Sequence, residues 1–308
     1  MDIVFAKLIF TLALADDITD RYALFRTRND FMSAFRKIAC LRNNECGNCP
    51  QRNVCSYQLT FSQTVSDDGS AAKRHQKPPL PFVFDFPVLP AAPNRGKEIE
   101  IGLVLAGTAI NHVQDYIAAT LLMFDPSPTD SKVAGIVTMA ESATVTGCRN
   151  RIMEKSGAVA LDGISTISLR DIAETQDLNP GRIRLTITTP MRLLHDGNPV
   201  GQLTFPLFIR PLLRRISSLA YYYYGGGLEV DYKWLSSLSE SIVTAEYGFH
   251  ADAWLEENRG ERFHGLAGTG VFEGAISDFH FFLLLGEYFH VGKGASFGLG
   301  RYRIDRDF

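Results

Sequence analysis

Read from its sequence, the chain is an α+β protein in which one order of elements, strand–helix–strand–strand–helix–strand, occurs twice. Three observations predict this. Segments with period-2 alternation and segments with a 3.6-residue period follow one another in that order in each half. The chain has 308 residues, and single cores stop growing near ~250–300 residues, so about two domains are expected. Apolar residues make up 45% and charged residues 21%, a globular rather than a disordered composition. The repeated order is the split βαβ pattern, so two tandem ferredoxin-like domains are expected, at 1–146 and 147–308. Residues 146–180 form the join, with one extra hairpin around Gly157–Leu169. A cysteine-rich metal-binding insertion interrupts the first domain.

Each element has its own warrant. Residues 2–15 are an apolar run expected as a long buried strand. They do not read as a signal peptide, because Asp2 opens the run and Lys7 is its single basic residue. No segment reaches the ~18 uninterrupted apolar residues of a membrane span, so no membrane partner is expected. Phe31, Ala34, Phe35, Ile38 and Ala39 recur at i, i+3, i+4, i+7 and i+8, which predicts a helix from about Leu24 to Leu41. A polar loop follows at Ser62–Lys77. The prolines of Pro78–Pro90 confine the next strand to an edge. Glu98–Ala106 alternates as a strand, Ala109–Phe124 is a helix, and Val133–Val145 is a strand. In the second half, Arg182–Thr188 alternates, and a helix runs from Pro206 to about Tyr223, stopped by Gly225–Gly227. Paired strands at Ile242–Trp254 and Leu266–Phe272, a helix at Ser277–Phe289 and a strand at Leu299–Ile304 complete it.

Four of the five cysteines fall within 16 positions, as Cys40, Cys46, Cys49 and Cys55. Four thiolates closing short loops suit a structural zinc ion, and the same spacing admits an iron–sulfur cluster. Clustered cysteines without a secretory signal favour metal over disulfides and a cytoplasmic protein. Cys148, far away, reads as a small buried residue.

The formal charge of −3 argues against a general nucleic-acid coat but conceals a local basic face. Between Arg21 and Arg52, seven basic residues (Arg21, Arg26, Arg28, Arg36, Lys37, Arg42 and Arg52) face only Asp30 and Glu45, a local excess of +5. Tyr22 and Phe25 are interleaved, a pattern fit for phosphate contact. Arg214 and Arg215 on the later helix are expected to border an RNA groove. The four tyrosines Tyr221–Tyr224 cover all sides of a helix end, which suits core packing better than base stacking.

The tail GEYFHVGKGASFGLGRYRI places glycines at 286, 292, 294, 298 and 300 among Lys293, Arg301 and Arg303. Two readings are open. Backbone N–H groups freed of Cβ atoms can approach phosphates, with Phe297 and Tyr302 stacking on bases. The other reading is a turn that packs a helix to a strand. A mononucleotide P-loop is excluded, since GxxxxGK[ST] is absent.

This tail, HVGKGASFGLGRYRI, resembles the C-terminal signature of the CRISPR-associated precursor-crRNA-processing endoribonucleases of the RAMP superfamily. Met191–Ser217, the Pro-rich PPLPFVF and the first helix leading into clustered cysteines agree with the same family. The resemblance implies two ferredoxin-like domains, CRISPR repeat RNA as the ligand, and metal-independent scission. In that reaction the 2′-OH attacks the adjacent phosphate and leaves a 2′,3′-cyclic phosphate and a 5′-OH. It also implies a histidine on or near the first helix, yet this sequence has none before His75. His290 in the tail is the strongest remaining candidate base, with Tyr22, Arg28 and Lys37 positioned to orient the 2′-OH and stabilise charge. His195, His264 and His280 are weaker candidates. Arg26, Arg36, Gly292, Lys293, Gly294, Gly298, Gly300, Arg301, Arg303, Arg214 and Arg215 are the expected RNA contacts. The rival expectation is a non-cleaving RNA-binding subunit working with other CRISPR effector subunits. A third, a zinc-stapled protein adaptor, leaves the tail without a role.

Overall fold

The computed structural model describes residues 2–40, 46, 48–69, 77–90, 92–127, 133–154, 158–256, 261–306 and 308, with backbone alone at 253–256 and 261–264. Contacts divide the chain into two units, Ile3–Ile167 and Ser168–Phe308, the latter including the first two residues.

In the first unit, β1 (Val4–Leu14), α1 (Arg28–Ala39), α2 (Ser56–Phe61), β2 (Phe82–Asp85), β3 (Glu98–Ala106), α3 (Val113–Phe124), β4 (Gly135–Ala143), β5 (Arg149–Met153) and β6 (Thr166–Ser168) follow in order. The sheet runs β2-β3-β1-β4-β5, with β6 also pairing β1. Pairing with β3 and β4 is antiparallel on both sides of β1, from Phe5 opposite Ala106 and from Lys7 opposite Ala143. A strand flanked on both sides and covered by helices reads as a continuous apolar run, which is why residues 2–15 show no clean alternation. The prolines keep β2 at the edge, as expected. Phe31 of α1 is the centre of the core, edge-on to Phe84 at 4.8 Å, Phe82 at 5.1 Å and Phe35 at 5.7 Å.

Two expectations change here. The first helix is split: a 3₁₀ turn, Ala23–Arg26, precedes α1, and Thr27 Oγ1 donates to Leu24 O at 2.7 Å at the break. Ile38 lies outside the buried stripe, 38% exposed. The domain boundary also shifts from 146/147 to 167/168, because β5 pairs β4 and β6 pairs β1.

The second unit holds α4 (Leu169–Thr175), β7 (Arg182–Met191), the small hairpin β8 (Leu194–His195) and β9 (Asn198–Pro199), α5 (Phe205–Tyr223), α6 (Tyr232–Leu238), β10 (Val243–Glu256), β11 (Glu261–Glu273), α7 (His280–Phe289) and β12 (Tyr302–Ile304). Its sheet order is β10-β11-β7-β12, all antiparallel. Both sheets therefore follow the strand order of a βαββαβ unit, a mixed fold with antiparallel sheets that agrees with ferredoxin-like domains. Alternation along β7 buries Ile183, Leu185 and Ile187. Phe205 of α5 meets Phe272 at 5.4 Å and Phe279 at 5.1 Å, edge-on. The expected last strand, Leu299–Ile304, is shorter, because residues through Gly300 are wound into turns. His195 belongs to the β8–β9 hairpin, whose turn residues Asp196 and Gly197 have φ of 49° and 81°.

Candidate nucleic-acid interface

In the first unit the polar face of α1 borders an open cleft of about 480 Å³. Its lining is Asn29, Met32, Ser33, Arg36, Lys37 and Cys40 from the helix side and Tyr57 from α2. These α1 positions follow a helical stripe opposite Phe31, Ala34 and Phe35, so burying the aromatic face necessarily presents this one. Arg36 is pre-positioned: its Nη2 donates to Tyr57 Oη at 2.7 Å, and its guanidinium lies 4.6 Å from the Tyr57 ring centroid. Lys37 is exposed beside it. Among the described residues, two cations and no carboxylate line the cleft, which makes it attractive to a phosphate. Tyr57, Asn29 and Ser33 were not singled out in the sequence; the i, i+4, i+7 spacing of Asn29, Ser33 and Arg36 is the signal that finds the last two.

The other residues expected on this face are placed differently. Tyr22 is 7% exposed and packs edge-on to Phe25 at 5.8 Å, so its ring belongs to the core. Arg26 forms an ion pair with Asp20. Arg28 is exposed, but nine residues separate it from Lys37, which sets the two on opposite sides of α1 about 13 Å apart along the axis. They do not meet at one phosphate.

In the second unit the tail leaves α7 at His290, whose φ of 55° and ψ of 176° turn the chain sharply. His290 is 1% exposed, so as folded it is not offered to a bound RNA. The loop that follows is packed against β7. Lys293 N–H donates to Arg192 O at 2.9 Å, Gly300 N–H to Pro190 O at 3.0 Å, and Arg301 N–H to Thr189 Oγ1 at 2.9 Å. Within the loop, Phe297 N–H donates to Gly294 O and Val291 N–H to Gly300 O. Most of the N–H groups expected to cradle phosphate are thus already bonded. The glycines are required by packing instead. A Cβ on Gly300 would strike Val291 O, and one on Gly292 would lie 2.6 Å from Arg192 O. Phe297 is 5% exposed and Tyr302 fully buried, its hydroxyl donating to Leu283 O at 2.7 Å, so neither is free to stack on bases. What faces outward is the short stretch Gly292–Gly294 with Lys293, followed by Arg303.

Adjacent cations on α5 part company. Arg214 is exposed. Arg215 turns inward, Nε donating to Phe289 O at 2.8 Å and Nη2 to Ser296 Oγ at 3.3 Å, so it ties the tail to the helices rather than bordering a surface groove. Burial lowers its pKa to about 10.

Cys40, Cys46, Cys49 and Cys55 are half-buried, and among the described residues no three His, Cys, Asp or Glu side chains converge on one metal position. Cys148 is exposed, not buried. No helix among the described residues is long and apolar enough to cross a membrane.

Residues 185–302 match the family model of the CRISPR-associated endoribonuclease Cas6, and residues 5–157 match a model described as an N-terminal domain. No curated protein matches the sequence. A Cas6 of Thermus thermophilus in its product complex shares 11% identity at a TM-score of 0.58, covering 98% of this chain and 100% of that one. A second Cas6 product complex shares 15% at a TM-score of 0.55 over 98% and 99%. A chain of a partial Cas6-RT-Cas1–Cas2 complex shares 12% at 0.54, covering 98% of this chain and 46% of that one. At such identities these are likenesses of fold, and they extend over both units. The Cas6 model spans most of β7, α5, the β10–β11 pair, α7 and the whole glycine tail, so the second unit is similar to this CRISPR-associated endoribonuclease family along most of its length.

Proposed function

We propose that the chain binds the repeat RNA of a precursor CRISPR transcript and cleaves it as a metal-independent endoribonuclease. The observation that carries this reading is the cleft of α1, where Arg36, braced by Tyr57, and Lys37 line a space with no carboxylate among its described lining residues. The attacking 2′-oxygen forms a bond to the adjacent phosphorus, and the bond to the 5′-oxygen breaks, giving a 2′,3′-cyclic phosphate and a 5′-OH. Arg36 and Lys37 stabilise the charge that grows on the phosphate oxygens. With no histidine or carboxylate among the described lining residues, the 2′-OH proton passes to water and the leaving 5′-oxygen takes one from it, so turnover is slow. His290 and Tyr22 act by holding the tail turn and the first helical segment in place. Lys293, Arg301, Arg303 and Arg214 track phosphates along the second unit.

One observation favours the rival, a non-cleaving subunit of a CRISPR ribonucleoprotein: with His290 buried, no histidine among the described residues stands at either basic surface. Single-turnover incubation of labelled repeat RNA in EDTA separates the two. Cleavage that falls about 100-fold or more in Lys37→Ala supports the enzyme. Tight binding without a cut supports the subunit, and no binding removes both. Zinc held by Cys40, Cys46, Cys49 and Cys55 remains a proposal from spacing alone, tested by metal analysis of the wild type and Cys46→Ser.

A further inference from the structure

The cleft along α1 holds two kinds of chemistry, and the proposed cleavage uses only one of them. Arg36 and Lys37, toward its C-terminal end, suit a phosphate. Asn29, Met32 and Ser33 line the other end, one to two turns earlier in the helix. A phosphate oxygen only accepts hydrogen bonds, so the carbonyl of Asn29 has nothing to offer one. A carboxamide donates and accepts side by side, which is the pattern of a nucleobase edge. Met32, half-buried between the two polar residues, gives the cleft an apolar, polarizable wall suited to the face of a ring.

The fold gives Asn29 and Ser33 no other task. Both are exposed. Asparagine and serine at a helix start ordinarily cap it, but the cap position here is Thr27. Neither Asn29 nor Ser33 has a side-chain hydrogen bond among the described residues. Inside a helix both are poorer formers than alanine, so neither stabilises α1. Asn29 and Arg36 are seven residues apart, about 10 Å along the axis, which is the order of the span from a nucleotide's phosphate to the outer edge of its base. The cleft of about 480 Å³ falls within the ~300–1,000 Å³ of small-molecule sites, room for one nucleotide.

We infer that Asn29 reads the base of the nucleotide whose phosphate rests on Arg36 and Lys37, and that this base is adenine. The role rests on the RNA-binding reading and deepens it by naming a specificity-determining residue. The amide N–H donates to adenine N7 and the amide oxygen accepts from the N6 amine, the pairing by which asparagine selects adenine. In unpaired RNA that edge is open, and it lies on the side of the purine's own 5′-phosphate, so one nucleotide spans both ends of the cleft. Ser33 faces the ribose between them.

Short oligoribonucleotides test this without cleavage. Binding of oligo(A), oligo(C) and oligo(7-deazaadenosine) of one length is measured by fluorescence anisotropy in EDTA across a salt series. The wild type is expected to bind oligo(A) about tenfold more tightly than the other two, the discrimination of one bidentate pair. In Asn29→Ala the preference is expected to disappear while the slope of log K against log salt stays unchanged, because no phosphate contact is lost. Asn29→Asp repels adenine N7 and accepts from the cytosine N4 amine, so it should prefer oligo(C). Lys37→Ala should do the converse, lowering the slope by ~0.7 and keeping the preference for oligo(A). A preference for oligo(A) that survives Asn29→Ala overturns the role, as does a wild type that binds the 7-deazaadenosine oligomer as tightly as oligo(A). A wild type that binds all three alike removes the base-reading role alone, whereas one that binds none removes the RNA-binding reading with it.

Discussion

Gly286→Ala is expected to destabilise the second unit, although alanine is normally the better helix residue. Gly286 lies in α7, where the Tyr302 side chain crosses the helix to donate to Leu283 O. A Cβ there would strike the Tyr302 hydroxyl and lie 2.8 Å from Leu212 Cδ1. The intrinsic gain from alanine is about 0.5–1 kcal/mol. Against it stand about 1–3 kcal/mol for displacing a buried hydrogen-bonding group and about 1–3 kcal/mol for overpacking. The net is a loss of about 1–5 kcal/mol, centred near 3. Tyr302→Phe alone removes one hydrogen bond and should cost about 1 kcal/mol. In the Tyr302→Phe background the colliding oxygen is gone, and Gly286→Ala should cost about 1 kcal/mol or less, a coupling near 2 kcal/mol. Both tryptophans, Trp234 and Trp254, lie in the second unit, so their fluorescence in a urea titration reports on it separately. A neutral or stabilising Gly286→Ala, or an equal cost in both backgrounds, would refute the claim that tight packing requires this glycine.

Phe31→Ala should cost the first unit about 3–5 kcal/mol, because it empties the centre of a fully buried aromatic cluster. Hydrogen exchange in β1 and β3 should accelerate while the tryptophan-detected midpoint stays fixed. Burial raises the Glu287 carboxyl above its ordinary value, outweighing the pull of Arg306, so the folded state holds that proton more tightly than the unfolded chain. Its contribution to stability is therefore full below the ordinary carboxylate value and declines as pH rises through the raised one. Glu287→Gln keeps an acceptor for Ile304 N–H and should flatten that decline; parallel wild-type and variant curves would contradict the assignment.

The element order was legible because period and burial agree along each segment: Ile183, Leu185 and Ile187 alternate into the core, and Phe31, Ala34 and Phe35 share one helix face. The domain boundary was not, since nothing local to residues 149–168 announces that β5 and β6 pair with strands of the first sheet. The glycine tail shows the same limit. Its density of glycines is visible, but what they serve depends on neighbours distant along the chain, such as Tyr302 against Gly286 and Arg192 against Gly292. Arg214 and Arg215 read as one basic pair, yet a helix turns successive residues by about 100°, which sends one to solvent and the other inward. The face of α1 that borders the cleft was partly read, through Arg36 and Lys37. Its brace, Tyr57, comes from a helix whose docking the sequence does not reveal.

The end groups of the RNA product test the central claim most directly. Repeat RNA incubated with the protein in EDTA should yield a fragment ending in a 2′,3′-cyclic phosphate and a partner beginning with a 5′-OH. Cleavage that requires added divalent metal, or that leaves a 3′-OH and a 5′-phosphate, would contradict it.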